Sequence, residues 1–241
     1  MTPDEPNPQS RPVTRAALEE VYGADGLVRV PADRLPAAVT DPAARAFLTD
    51  VGLPVAPGAV VRADPAARAD GLPGLAESCL PEKVDEAYPG LPGDGAALLV
   101  VGHYGAGLFV LDGASGAVHA LAPHQDPAVN GRPAHRDLHA YVRCLLAFGG
   151  RELWLLSDLM DPDTADWCRG HFPEFAELCP ARDEDDDDFF LEEDEEQELL
   201  ARMPDVDEVL AGLTAKLRQV EPDITDQPVW QQILHDFRHG Y

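Results

Sequence analysis

The alternation of apolar and polar residues predicts two helices in the first fifty positions. Thr14 can cap a short helix with Leu18 on its apolar face, and a short strand over 27–30 follows. A second helix is expected to begin at Asp41, a good N-cap residue, with a proline next in the chain. It is expected to end at Gly52, because glycine suits the position just past a helix.

A strand-like pattern occupies the middle of the chain, where residues 98–118 read LLVVGHYGAGLFVLDGASGAV. The glycines Gly102, Gly105 and Gly107 suggest a phosphate-binding loop, but such a loop leads from a strand into a helix. Here a second β-prone run follows, then the turn sequence DGASG and a third run over 117–121. The pattern therefore predicts an antiparallel meander, with the glycines at turns or bulges.

Three amphipathic helices are predicted in the second half of the chain. The first is expected over 135–148, and the other two follow Pro204. One of these carries its apolar residues over 206–217, and the other is expected to run from a cap at Asp226 to a stop at Gly240. Spacings of three and four place each apolar set on one face, which suits docking on a sheet.

The remaining segments have weaker patterns. Residues 1–12 are polar and proline-rich, so we expect a disordered tail. Residues 59–62 are expected to form a strand, whereas 63–95 and 122–134 are expected to be loops. The segment over 151–160 suits a helix or a strand equally.

Composition narrows the classes of partner. The chain has 241 residues, which suits one large domain. Its formal net charge is −26, so nucleic acid and anionic membranes should repel it. No apolar run reaches the roughly 18–20 residues of a membrane span, and the N-terminus lacks signal-peptide features, so we expect a cytoplasmic protein. The cysteines lack metal-site spacing and are expected to be buried free thiols: Cys79, Cys144, Cys168 and Cys179.

An acidic run over 183–198 stands apart, with twelve carboxylate residues in sixteen positions. It fails the pattern of a calcium loop, because a loop that starts at Asp183 has Asp188 where glycine is needed. Such a block of like charge is typical of a solvated, mobile insertion. The alternative is a contact segment for a basic protein, to which the embedded aromatic residues lend some support. The candidate partner-binding residues are Asp183, Glu184, Asp185, Asp186, Asp187, Asp188, Phe189 and Phe190.

Two histidine pairs have the spacing of a helical metal site. They are His135 with His139 and His235 with His239. Neither pair has the glutamate of HExxH or a third ligand nearby in the chain, so we expect solvated surface histidines and no metal site. Signatures of a nucleophile are absent as well, so we assign no catalytic residue, no cofactor-binding residue and no cofactor. Nothing in these residues requires an enzyme, and a hydrolase or metal enzyme built around the histidines stays the least favoured alternative.

The order of these segments resembles the SUKH superfamily, and within it the SUKH-4 family of bacterial immunity proteins. The resemblance rests on FLTDVGLP, on the strand that contains Gly102, on LFVLDGASGAV, on RDLHAYVRCLLAF and on the closing PVWQQILHDFRHGY. It covers about residues 14–149 and 205–241. These motifs are structural glycines and apolar segments, so they specify a fold better than an activity.

The resemblance implies an α+β fold with a mixed or antiparallel sheet flanked by helices. It implies one domain over 13–241, with an acidic low-complexity insertion at about 181–203. It also implies an immunity protein that binds and neutralises a cognate polymorphic toxin, of the nuclease or deaminase class, without catalysis. The alternative is a SUKH-fold adaptor or regulator that binds a basic cellular protein. Neither implies a nucleic-acid or membrane partner.

Overall fold

A computed structural model describes seven stretches of the chain and the single residue Gly170. The stretches are 12–55, 72–78, 84–91, 95–104, 107–122, 126–148 and 206–239. Their helices in chain order are α1 (Arg15–Tyr22), α2 (Pro42–Ala46), α3 (Leu75–Ser78), α4 (Val84–Ala87), α5 (Pro127–Asn130), α6 (Leu138–Phe148), α7 (Val206–Val220) and α8 (Pro228–His239). Their strands are β1 (Leu27–Val28), β2 (Leu53–Pro54), β3 (Leu98–Tyr104), β4 (Gly107–Asp112), β5 (Val118–Leu121) and β6 (Pro133–His135).

Side-chain caps start the two N-terminal helices where the sequence predicts. Thr14 accepts from the N–H of Ala17 at 3.3 Å, and Asp41 accepts from the N–H of Ala44 at 2.7 Å. Helix α2 then widens into a π-helical turn over Phe47–Val51 and stops at Gly52. Gly52 has a φ of 93°, and a Cβ there would lie 2.6 Å from the carbonyl oxygen of Val28, so only glycine fits.

The four longer strands form one antiparallel sheet in the order β3-β4-β5-β6. Sequence-adjacent strands pair in succession, which confirms the predicted meander, and a bulge between Val100 and Gly102 interrupts the first pair. The N–H of Val100 also donates to the carbonyl of Pro73, so the chain before α3 covers part of the outer edge of β3. Strands β1 and β2 form a separate two-stranded antiparallel sheet. The fold class is α+β, as predicted.

Each face of the larger sheet has its own apolar cluster. One face packs Phe109 and Leu111 against helices α6, α7 and α8, whose buried residues include Leu217 and Trp230. The predicted apolar faces of the closing helices therefore do dock on the sheet. The opposite face carries a smaller cluster formed by Leu75, Val84, Tyr88, Leu98, Val100, Leu108, Val110 and Leu121. Both faces are buried, which explains why β3 reads as a continuous apolar run.

Several sequence predictions are wrong in detail. The segments predicted as loops contain α3 and α4 within 63–95, and α5 and the first two residues of β6 within 122–134. These elements are only three or four residues long, too short for a periodic pattern to reveal. Helix α6 begins at Leu138, so His135 lies on a strand and not on the predicted helix. Asp226 lies in a 3₁₀ turn before α8 and does not begin that helix.

Some predictions concern residues outside the described stretches. These are the N-terminal tail, the strand over 59–62, the segment over 151–160, the acidic insertion, Gly105, Gly240 and three of the cysteines: Cys79, Cys168 and Cys179. Cys144 is buried and free, as predicted. Within the part of the chain that is described, no helix has the length and apolar character needed to cross a bilayer.

Candidate functional site

The last glycine of the glycine-rich segment lies on a strand, against an aromatic ring. Gly107 begins β4 and pairs with Tyr104, the last residue of β3. A Cβ on Gly107 would lie 2.3 Å from Cζ of Tyr104, so the ring occupies the space that a side chain would take. A strand begins at Gly107, where a phosphate-binding loop would lead into a helix, so Gly107 serves the sheet.

His135 is the most deeply engaged polar residue of the sheet. It is 1 % exposed, and the rings of Phe109, Tyr141 and Trp230 lie 5.5 to 6.1 Å from its own. The expectation of a solvated surface histidine is therefore wrong. The reason is that residue 135 lies on β6 beside Val118, and its side chain points to the helix-covered face of the sheet, where it meets Trp230.

Two hydrogen bonds hold the His135 ring. Trp230 donates its indole N–H to Nε2 at 3.3 Å, and Nδ1 lies 3.1 Å from a carboxylate oxygen of Glu221. An indole nitrogen can only donate, so Nε2 accepts and the proton of the neutral ring is on Nδ1. His135 thus donates to Glu221, whose side chain is 18 % exposed. The pair joins β6 to the residue that follows α7.

Cys144 completes a polar cluster in this part of the core. Its Sγ, a ring nitrogen of His135 and a carboxylate oxygen of Glu221 all lie within 4.8 Å of one another. Burial raises the pKa of the thiol, and the nearby carboxylate of Glu221 raises it further. The hydroxyl of Tyr141 is fully buried and makes no hydrogen bond with the described residues. We refer to His135, Cys144 and Glu221 as the core triad.

The other histidines have separate surroundings. Nδ1 of His139 accepts from the N–H of Val13 at 3.1 Å, and its ring packs edge-on against Phe47. Burial lowers the pKa of His139. His139 is therefore half-buried and structural, so the prediction that it is solvated is also wrong. His235 is 60 % exposed, as predicted, and the side chain of His239 lies outside the description.

A surface groove of about 710 Å³ lies between α7 and α8. Leu210 and Leu234 contribute apolar surface to it and pack partly against the core. Arg238 on α8 and Asp207 on α7 form an ion pair that also lines the groove. The remaining lining residues are Ala211, Thr214, Ala215, Arg218, Gln231 and His235.

The structure brings together residues that the sequence keeps apart and leaves one predicted site untested. The core triad joins positions 135, 144 and 221, and only the histidine was a sequence candidate. No local spacing could reveal the other two residues, because Glu221 approaches His135 only when α7 docks. The acidic residues Asp183–Asp188 with Phe189 and Phe190 lie outside the described stretches.

These features define an α+β scaffold. Its central histidines, His135 and His139, pack and hydrogen-bond in the interior, and Gly102 and Gly107 lie within the strands of the sheet. The family profile of the SUKH-4 immunity protein matches residues 13–236. The chain therefore belongs to the SUKH-4 immunity protein family, which confirms the resemblance and indicates a role in toxin immunity with a protein partner. No curated protein and no solved structure matches the chain significantly.

Proposed function

We propose that this protein neutralises a cognate toxin of the nuclease or deaminase class by binding it, without catalysis. The observation that carries the proposal is the match of the SUKH-4 immunity protein family over residues 13–236. The structural roles of His135 and His139 support it, since both rings are used in packing and hydrogen bonding. We place the protein in the cytoplasm, where such a toxin would reach its nucleic-acid or nucleotide substrate.

Charge supports a basic partner. A nuclease must be basic where it grips phosphate, and this chain carries a net charge of −26. Electrostatic attraction of this kind raises association rates by roughly 10 to 10³ at low salt. At physiological salt the Debye length is about 8 Å, so only carboxylates close to the contact retain their effect. The protein would cover the active site of the toxin.

We assign the encounter to the acidic run and the lasting contact to apolar surface. In this proposal the carboxylates of Asp183–Asp188 attract the toxin, and Phe189 and Phe190 anchor it. The groove between α7 and α8 offers a further apolar contact through Leu210 and Leu234. Acidic groups would then govern the association rate, whereas apolar groups would govern dissociation.

Co-expression tests the function itself. We expect a toxin gene beside the gene of this protein. Its toxin domain should arrest growth when expressed alone, and this protein should restore growth and co-purify with the domain. Failure to restore growth, with both proteins folded and soluble, would contradict the proposal. If this protein then co-purifies with a basic cellular protein, the result would favour the adaptor alternative.

A deletion tests the acidic run separately. Residues 183–198 are replaced by a glycine-serine linker of equal length, and association with the toxin domain is followed against salt concentration. We expect a slower association at low salt and a shallower salt dependence. A second variant, Phe189→Ala with Phe190→Ala, should raise the dissociation rate and leave the salt dependence unchanged. An unchanged rate for the linker variant at low salt would exclude the run from the encounter.

A charge-matched pair of variants tests the groove. Ala211 is exposed and lines the groove, whereas Gln219 is exposed on the same helix outside it. Ala211→Arg should weaken toxin binding by at least about tenfold, because it adds bulk and positive charge at the contact. Gln219→Arg adds the same charge and should leave affinity within about twofold. Equal effects of the two variants would place the contact elsewhere.

A further inference from the structure

The core triad has the donor set of a transition-metal site. It offers an imidazole nitrogen, a thiol sulfur and a carboxylate oxygen, with all three donor atoms within 4.8 Å of one another. Nδ1 of His135 and the carboxylate oxygen of Glu221 are already 3.1 Å apart, close to the separation of two ligands on one tetrahedral zinc ion.

The three residues come from separate elements, so the fold holds the donors at fixed positions. His135 ends β6, Cys144 lies in the middle of α6, and Glu221 follows the last residue of α7. His135 and Cys144 are buried, while Glu221 is partly exposed and gives the cluster a side that reaches solvent. A cation could therefore enter along Glu221 without unfolding of the sheet.

The thiol of Cys144 is the least satisfied polar group of this cluster. No hydrogen bond to Cys144 occurs among the described residues, although its thiol lies beside a carboxylate and an imidazole. A thiolate next to Glu221 in the core would be strongly unfavourable alone, because two negative groups would share a poorly solvated site. A divalent cation would reverse that balance, since its charge equals the sum of one thiolate and one carboxylate.

We propose that His135, Cys144 and Glu221 bind one divalent cation of the zinc class. The thiolate selects a thiophilic metal over magnesium or calcium, and three protein ligands leave a fourth position for water. The thiol proton leaves to solvent on binding. The proton on Nδ1 of His135 is displaced to Nε2, so the imidazole stays neutral and the site carries no net charge.

The shift of the proton makes metal binding and the Trp230 hydrogen bond alternatives. With the metal on Nδ1, Nε2 of His135 carries a proton and can no longer accept from the indole N–H of Trp230. The two donors then face each other, so the indole must move. Metal uptake is thereby coupled to the seating of Trp230, and hence of α8, on the sheet.

Cobalt(II) titration of the full-length protein tests the site. A tetrahedral cobalt site with a thiolate ligand has strong near-ultraviolet and visible absorption, and we expect saturation at one equivalent. Cys144→Ala should abolish the thiolate-to-cobalt band, and Glu221→Gln should weaken binding at least about tenfold. His235→Ala is the control and should leave the titration unchanged. The comparison of wild type with Cys144→Ala is needed because three other cysteines could supply the thiolate: Cys79, Cys168 and Cys179.

Trp230→Phe tests the site in a second way, because its cobalt affinity should change only if the cluster binds the metal. Removal of the competing N–H donor should tighten cobalt binding by about fivefold, the factor that one neutral hydrogen bond contributes. If this variant does not fold, quenching or shift of tryptophan fluorescence on cobalt addition to the wild type replaces it, with Cys144→Ala as the control. Absence of a cobalt band in the folded wild type, or persistence of that band in folded Cys144→Ala, would overturn the site. Unchanged affinity in folded Trp230→Phe would overturn Nδ1 as the ligand.

Discussion

Trp230 donates its indole N–H to Nε2 of His135 across 3.3 Å, although the two residues lie 95 positions apart in the chain. The bond ties α8 to β6 and fixes which nitrogen of the imidazole carries the proton. The stacked ring of Phe148 holds the other side of the indole, so three elements meet at this contact. The C-terminal helix is therefore part of the core and not an appendage.

His135→Ala should lower the free energy of unfolding by about 2–4 kcal/mol. The substitution leaves a cavity and removes the partners of Trp230 and Glu221 at once. Urea denaturation followed by tryptophan fluorescence measures the change. His235→Ala is the matched control and should stay within about 0.5 kcal/mol, because that side chain is exposed. Equal losses in the two variants would contradict the assigned role of His135.

Gly107→Ala should destabilise the protein by about 1–3 kcal/mol, because the new Cβ meets the ring of Tyr104 at 2.3 Å. Gly212→Ala is the control within α7, where a Cβ has nothing within 4 Å. That change should stabilise the protein by about 0.5–1 kcal/mol, since alanine favours a helix interior. In a double-mutant cycle, Tyr104→Ala should remove most of the penalty at position 107; an undiminished penalty would show that another clash causes it.

Alkaline pH should unfold the protein through its buried tyrosines. Burial raises the pKa of Tyr104 to about 12, and burial also raises the pKa of Tyr22 and Tyr141. An unfolded tyrosine loses its proton near pH 10, so the folded state binds more protons above that pH and stability falls as pH rises. Each such tyrosine contributes a slope of up to about 1.4 kcal/mol per pH unit.

Tyr104→Phe checks this dependence. Below pH 10 the stability of this variant should be close to that of the wild type. The hydroxyl of Tyr104 lies 3.5 Å from the carbonyl oxygen of Leu121, so its hydrogen bond contributes little to stability. Between about pH 10 and 12 its stability should fall less steeply, since one titrating group is gone. Urea midpoints at several pH values measure both. Identical slopes for variant and wild type would show that Tyr104 ionises normally in the folded protein.

Asn130→Ala should cost about 2–3 kcal/mol of stability. The buried side chain donates to the carbonyl of Pro89 at 3.0 Å and accepts from the N–H of Ala122 at 3.3 Å, so it joins the chain around α4 to the end of β5. Asn130→Asp keeps the shape but should also destabilise at neutral pH, because a carboxylate would face the carbonyl of Pro89. Gln219→Ala, on the exposed side of α7, should change stability by less than about 0.5 kcal/mol. Thermal denaturation followed by circular dichroism compares the three.

Most local elements of this protein were readable from the sequence, whereas several short ones, such as α3, α4, α5 and β6, were not. Thr14 and Asp41 cap their helices through contacts three residues away, and Gly52 ends α2 and its π turn through its own backbone angle. The meander was readable for the same reason, because apolar runs separated by turn residues specify adjacent antiparallel pairs. The order of these segments also carried the family resemblance.

The sequence by itself determined the meander, the caps at Thr14 and Asp41, the amphipathic helices and the strongly acidic character of the chain, because each depends on neighbours within a few residues. Only the tertiary structure decided that His135 is buried on a strand and meets Trp230, Glu221 and Cys144. Contacts between positions so far apart depend on how α6, α7 and α8 dock on the sheet. Periodicity along one segment describes which face is apolar, and it cannot specify which residue of another segment that face will meet.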